Sequence, residues 1–166
     1  MLEHILYYKT IPSPIGSLRL YASQKGLCAV LFHGGRNHKI MFDGAIEQSD
    51  DHPMLKRAEK QLLEYFSGKR KHFDLPLDMR GSIFQLKAWK ELQQIPYGKT
   101  ISYGEQAHRV GDRKKARAVG MANGRNPLPI IVPCHRVIGS SGALTGFGGG
   151  IKTKQQLLEH ERKYLG

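Results

Sequence analysis

A cysteine and a histidine stand side by side in Pro133-Cys134-His135-Arg136-Val137. A thiol is a good nucleophile only as its thiolate, so a reactive cysteine needs a neighbour that takes its proton or a field that lowers its pKa. His135 is the nearest group able to do so. The apolar run Pro129-Ile130-Ile131-Val132 reads as a buried strand that ends at this pair. Asn126-Pro127-Leu128-Pro129 precede it, and a glycine-dense stretch from Gly139 to Gly150 follows. The cysteine is thus expected on a floor, with turning segments as walls.

Charge is the second chemical signal. The formal net charge is +12, and residues 1–80 hold 12 Lys and Arg against 9 acids while residues 81–166 hold 14 against 5. The basic surplus lies with the candidate nucleophile. Phosphate neutralisation supplies most non-specific nucleic-acid affinity, so this combination points to a polyanionic substrate. No stretch has the length and apolarity of a membrane span, and the N-terminus lacks a basic-then-apolar signal pattern, so a cytosolic protein is expected. The two cysteines sit in unlike settings, which argues against a disulfide framework. Cys28 lies in the apolar run Leu27 to Phe32 and reads as a small hydrophobe. Cys28, His33 and His38 have no second cysteine nearby, so no metal is expected.

The elements that position these groups follow from pattern. Ile5 to Ile11, Ser17 to Ala22 and Leu27 to Phe32 are short β-rich runs, and their short connections imply antiparallel pairing. Pro53 opens a helix with Leu55, Ala58, Leu62 and Phe66 at helical spacing and Gly68 as its stop. Lys69-Arg70-Lys71 reads as a solvated connector, and nothing in this half looks catalytic. From Gly81 onward, capped helices take over. Ser82 with Gln85 is a capping box for a helix whose apolar face is Ile83, Leu86 and Trp89, and Ile95-Pro96-Tyr97-Gly98 ends it. Ser102 with Glu105 is a second box, for a helix through Val110. Gly111-Asp112 then leads into a third helix, about 112–123, with Asp112 as N-cap.

Two short helices joined by a tight glycine turn match a helix-turn-helix, a pattern shared by many hairpins that bind nothing. In the third helix, Lys115, Ala118, Val119 and Ala122 are expected to face the core. Arg113, Ala116, Arg117 and Gly120 form a basic, nearly flat face that could lie close against a duplex, with Arg113, Lys114 and Arg117 reaching phosphates. The expected fold is α+β. Residues 1–80 form a small antiparallel-sheet domain with a helix, and residues 81–166 a mainly helical domain with the helix-turn-helix and the cysteine.

From Ile83 to about Leu165 the chain resembles the O6-alkylguanine-DNA alkyltransferases, which move an alkyl group from guanine to their own cysteine. The likeness runs through Ile-Pro-Tyr-Gly-Lys-Thr-Ile-Ser-Tyr (95–103), Ala-Arg-Ala-Val-Gly (116–120), Asn-Gly-Arg-Asn-Pro (123–127) and Pro-Cys-His-Arg-Val (133–137). Residues 1–80 match more loosely, as a ribonuclease H-like domain. The resemblance implies that Cys134 is the nucleophile, that His135 takes its proton through a water, and that Glu161 rather than Glu159 orients the imidazole. It further implies that Tyr103 donates to guanine N3 and that Asn126 ties the turn before the nucleophile. Pro129, Val137, Phe147 and Gly148 would line the base pocket, with the carbonyls of Cys134 and Val137 reading the exocyclic amine. In the family this helix enters the minor groove, and the arginine matching Arg117 holds an extruded nucleotide out of the stack. Extrusion is required because a buried alkyl group cannot be reached inside a duplex.

One departure is Phe147, where family members commonly have tyrosine, so the position can only stack or pack. Gly148, Gly149 and Gly150 should make the wall small and admit bulkier alkyl groups. No cofactor is expected. The partner implied is double-stranded DNA carrying O6-alkylguanine, bound by a monomer, with O4-alkylthymine as a further substrate left open. Two other readings stay open. A cysteine peptidase pairs Cys with a histidine from far along the chain, unlike this adjacent pair. A pure DNA-binding module, either a regulator or a damage sensor, would not need Cys134.

Overall fold

The computed structural model describes residues 5–33 and 44–166; His38, weighed above as a metal ligand, lies outside them. Strands β1 (Ile5–Ile11), β2 (Leu18–Ala22) and β3 (Leu27–Phe32) form an antiparallel meander, as their short connections require. β4 (Ala45–Gln48) joins the other side of β1 and runs parallel to it, giving the order β3-β2-β1-β4. The sheet is therefore mixed, and the all-antiparallel expectation is corrected. All four residues of β4 are exposed, so the strand carries no alternation of burial that could have marked it.

Helix α1 (Pro53–Phe66) packs on β1, β2 and β3 through the face that includes Leu55, Ala58, Leu62 and Phe66. The connector after it closes the open edge of β3. Leu27 N donates to Pro76 O at 2.9 Å, and Asp78 N donates to Leu27 O at 2.8 Å. Gly26 stands where the two backbones are closest, and a Cβ there would lie 2.4 Å from Pro76 O. These two bonds cover the Leu27 end of that edge.

The second half contains α2 (Ile83–Leu92), α3 (Tyr103–Val110), α4 (Ala116–Gly124) and α5 (Ile151–Lys163), with the two-residue strands β5 (Ile101–Ser102) and β6 (Val137–Ile138) paired in parallel. The capping box of α2 forms in full: Gln85 N donates to Ser82 Oγ at 3.1 Å, and Ser82 N donates to Gln85 Oε1 at 2.9 Å. Its buried face is Ala88, Trp89 and Leu92, whereas Ile83 and Leu86 are exposed, which corrects the expected face. Trp89 decides the orientation, because its indole N–H donates to Ala122 O of α4 at 2.8 Å. Ser102 caps α3, but the Glu105 carboxylate turns to Arg109 at 3.1 Å and Arg113 at 3.6 Å, so only half of the second box forms.

Asp112 caps a 3₁₀ turn at Arg113–Lys115, and α4 begins only at Ala116. That tighter turn shifts the phase of the faces relative to one straight helix. Val119, Ala122 and Asn123 are buried and Ala116 is half-buried, while Lys115 and Ala118 are exposed, so both expected stripes are rotated. Arg113, Lys114 and Arg117 remain exposed.

One apolar cluster runs from Ile11 and Leu20 through Leu62, Tyr65 and Trp89 to Ile130, Val137 and Leu157. The sheet half and the helical half share an interior. We expect Gly26→Ala to destabilise the protein by about 1–3 kcal/mol through the clash with Pro76. Urea unfolding measures it, and an unchanged midpoint would mean that the connector does not hold the β3 edge.

Candidate active site

Cys134 does not follow a strand. Residues 129–133 form a buried loop, and Cys134 opens a 3₁₀ turn, Cys134–Arg136. A continuous apolar run signals burial, and burial is shared by inner strands and by loops whose backbone finds other partners. Here the partner is Asn126. Its Nδ2 donates to Val132 O at 2.7 Å and its Oδ1 accepts from Leu128 N at 2.9 Å, while Val132 N donates to Leu128 O at 2.8 Å. Asn126 thus ties the turn before Cys134. The loop also holds Ile130 at φ +77°, which costs a β-branched residue on the order of 1–3 kcal/mol. Val30 N of β3 donates to Pro127 O at 2.8 Å and fastens the loop to the sheet.

Behind the cysteine, Glu161 of α5 is fully buried and accepts five hydrogen bonds. Its Oε1 receives Arg136 Nε at 2.9 Å and Gly98 N at 3.1 Å; its Oε2 receives Arg136 Nη2 at 3.0 Å, Tyr65 Oη at 2.7 Å and faces His135 Nε2 at 2.6 Å. Burial alone would raise this carboxyl, but the bonds and charges of His135 and Arg136 outweigh it and hold it far below the usual carboxylate range. An ionised carboxylate can only accept, so His135 carries its proton on Nε2. Nδ1 is then a lone pair, and it has no hydrogen-bond partner among the described residues. Burial lowers the His135 pKa against the pull of Glu161, which keeps the ring neutral. Glu159, by contrast, is exposed and accepts from Gln155 at 3.1 Å.

The cysteine itself is buried, and burial pushes its thiol up to about 11 against the Asn126 amide and the Lys154 charge. It shares a narrow cavity with Pro129, Phe147 and Gly148, and the cavity also takes in Phe32 of β3. Phe147 packs on Phe32 with ring centroids 5.6 Å apart, so the phenylalanine that replaces the expected tyrosine acts by packing. Val137 is placed differently from the expectation. It is fully buried away from that cavity, and its carbonyl accepts from Lys154 Nζ. Tyr103 lies between α4 and the glycine-rich loop. Its hydroxyl donates to Thr145 O at 2.9 Å and lies 3.4 Å from Lys154 Nζ, and a Cβ on Gly120 would sit 3.6 Å from its ring.

Four contributors escaped the sequence reading: Tyr65, Arg136, Lys154 and Phe32. Arg136 had a signal, since it stands inside the pentapeptide and a buried carboxylate needs a counter-charge. Lys154 had none, because lysines are almost never fully buried. Its ammonium also donates to Thr145 O at 2.9 Å, so its three protons are spent on Val137, Thr145 and Tyr103.

Comparison with known proteins adds to this geometry. The family described as 6-O-methylguanine DNA methyltransferase, DNA binding domain, matches residues 83–163, and its ribonuclease-like domain matches residues 6–79. The chain belongs to the 6-O-methylguanine DNA methyltransferase family. It is 47% identical over 163 residues to the methylated-DNA–protein-cysteine methyltransferase of Mycobacterium tuberculosis, covering 95% of this chain and 93% of that protein. The protein of the same description from Methanosarcina acetivorans is 44% identical over 156 residues, covering 94% and 98%. The solved structure of Mycobacterium tuberculosis OGT in complex with DNA superposes with a TM-score of 0.84 at 46% identity, covering 95% of this chain and 94% of that one. For a family member of this kind the buried pair also sets acid stability. Glu161 has a depressed folded pKa, so its contribution is present above the ordinary carboxylate range and lost as pH falls through the folded value. His135 is kept neutral, so below an unfolded value of about 6.5 the unfolded chain binds a proton that the folded chain does not. Both slopes have one sign. Urea unfolding followed against pH should show stability falling from about pH 6.5 downward, and Glu161→Gln should cost about 3–5 kcal/mol at neutral pH by leaving the Arg136 charge buried and unpaired.

Proposed function

We propose that this protein repairs DNA by moving the alkyl group of O6-alkylguanine in double-stranded DNA onto Sγ of Cys134, once per chain. The observation that carries the reading is a buried cysteine on a cavity floor, with a neutral His135 held by the ionised Glu161 next to it and a basic helix-turn-helix in the same half. The protein acts in the cytoplasm, where a free thiol persists.

The chemistry assigns each group a task. With its thiol pushed up to about 11, Cys134 is protonated in the resting protein, so its proton must leave as the sulfur attacks. His135 accepts it at Nδ1 through a water, and Glu161 supports the resulting imidazolium. Sγ bonds to the alkyl carbon, the bond from that carbon to O6 breaks, and its electrons pass into the purine ring. Tyr103 turns its hydroxyl, which donates to Thr145 O in the resting structure, to N3 and so offsets the charge on the departing guanine. Pro129, Phe147 and Gly148 hold the base against the thiol, and Asn126 keeps the loop under it fixed. Arg113 and Lys114 meet phosphates, and Arg117 on the exposed face of α4 takes the place of the extruded nucleotide. Ala116 and Gly120 keep the approach close. The domain boundary follows the same division of labour, with residues 81–166 carrying chemistry and DNA contact.

The product is a thioether with no carbonyl for water to attack, so it cannot turn over as an acyl-enzyme does. Intact mass after incubation with methylated duplex should show one added methyl per chain, mapped to Cys134. Cys134→Ser should retain DNA affinity and accept nothing. Several equivalents released per chain, or label on Cys28, would sink the assignment.

Nucleotide extrusion separates two roles of arginine. Arg117→Ala should slow transfer from duplex DNA far more than transfer from free O6-benzylguanine, which needs no extrusion. Arg113→Ala and Lys114→Ala should instead weaken binding at every sequence and lower the salt slope by about one each. Equal loss on both substrates for Arg117→Ala would make it a residue of the fold or the pocket.

A further inference from the structure

Helix α1 lies in the half with no nucleophile, yet it reaches the candidate site. Tyr65 is fully buried, and its hydroxyl donates to Glu161 Oε2 at 2.7 Å, the same oxygen that His135 Nε2 faces at 2.6 Å and that Arg136 Nη2 reaches at 3.0 Å. We propose that Tyr65 is a positioning residue of the transfer reaction, drawing charge from Glu161 Oε2 so that His135 stays a weak, neutral base with its proton on Nε2. The proposal deepens the function above and rests on it.

The physical argument is competition for one oxygen. Each donor on Oε2 takes part of the carboxylate's charge, and what remains is what can stabilise an imidazolium at His135. Five donors leave Glu161 a poor proton acceptor, so it orients His135 without taking its proton. Without the Tyr65 hydroxyl, Oε2 keeps more charge and His135 becomes more basic. Packing alone does not explain this hydroxyl: a phenylalanine would fill the same space among Phe66, Phe73, Tyr97 and His160, whose rings lie 5.2, 5.5, 6.1 and 4.9 Å away.

The other groups around the pair do not duplicate it. From the 95–98 segment, Tyr97 is buried with its hydroxyl unpartnered among the described residues, and Lys71 and Arg136 lie over its ring at 5.6 and 5.5 Å. From the 3₁₀ turn come Cys134, His135 and Arg136. From α5 come Glu161 itself, Lys154, which is committed to Val137, Thr145 and Tyr103, and His160, whose Nε2 lies 2.8 Å from Tyr65 O. Arg136 sits on both oxygens and fixes the carboxylate's charge, Gly98 N is a neutral donor on Oε1, and Tyr65 is the neutral donor that shares Oε2 with His135.

The test compares full-length wild type, Tyr65→Phe and Phe73→Leu. Single-turnover transfer from free O6-benzylguanine is followed by intact mass across the pH range in which an imidazole titrates, and the His135 ring is titrated by NMR. Tyr65→Phe should move the acid limb of the rate and the His135 midpoint upward by about one pH unit. Phe73→Leu should lower stability and leave both where they are. An unmoved acid limb in Tyr65→Phe, whatever happens to the overall rate, overturns the inference, as does an equal shift in Phe73→Leu. Failure of wild type to accept the benzyl group would overturn the transfer reaction itself.

Discussion

A carboxylate taken out of water must be fully hydrogen-bonded or lose its charge, and Glu161 meets that demand with donors from three separate parts of the chain. Tyr65 comes from α1, Gly98 from the turn after α2, and His135 and Arg136 from the 3₁₀ turn, while Glu161 itself lies on α5. The bonds that keep one charge buried therefore also pin the cysteine's turn against the last helix and against the sheet half. Arg136 extends the arrangement with Nη1 on Ile95 O at 2.8 Å. Removing any one donor leaves the rest in place but redistributes charge, whereas removing the carboxylate leaves a guanidinium with no counter-charge.

That arrangement reconciles two properties that look opposed. On the proposed reading Cys134 must reach its thiolate, yet it is buried and its thiol is pushed up to about 11. A resting thiolate would be open to stray electrophiles, and a protein that accepts one alkyl group cannot afford to lose its cysteine. A protonated thiol beside a neutral imidazole is quiet until a base fills the cavity and proton and alkyl group move together. Lys154 acts in the opposite direction on the thiol. Its charge lies close enough to favour the thiolate, and its protons hold Val137, Thr145 and Tyr103 around the site.

What could be read from the sequence was local. Ser82 with Gln85, Asp112 before its turn, Pro53 and Gly68 around α1 and the three strands of the meander all act within a few residues, so their signals survive without the fold. The misreadings share one cause, which is that tertiary contacts overrode a local pattern. Pro129 to Val132 looked like a strand because only burial was visible, and the side chain that replaces strand pairing, Asn126, stands outside the run. The stripe of α4 was rotated by three residues wound as a 3₁₀ turn, which no apolar spacing announces. Ile83 and Leu86 are apolar and exposed, whereas Lys154 is charged and buried. The resemblance named Cys134, His135 and Glu161 as a group, and the structure pairs His135 with Glu161 next to Cys134, while Tyr65 lay in a half where nothing looked catalytic.

The sheet half also forms part of the cavity. Phe32 from β3 and Phe147 from the glycine-rich loop meet over the cysteine, and a Cβ on Gly149 would lie 2.8 Å from Phe147 and 3.0 Å from Phe32. Gly149 is therefore small because two rings occupy the place of its side chain, and Gly150, at φ +94°, turns the chain into α5. This alters the meaning of the glycine run. It does not simply widen the wall for bulky alkyl groups; it lets an aromatic pair close down on the cavity from both halves. That contact crosses between the halves, as does the bond from Tyr65 to Glu161, so β3 and α1 are structural parts of a candidate site whose cysteine lies in the other half.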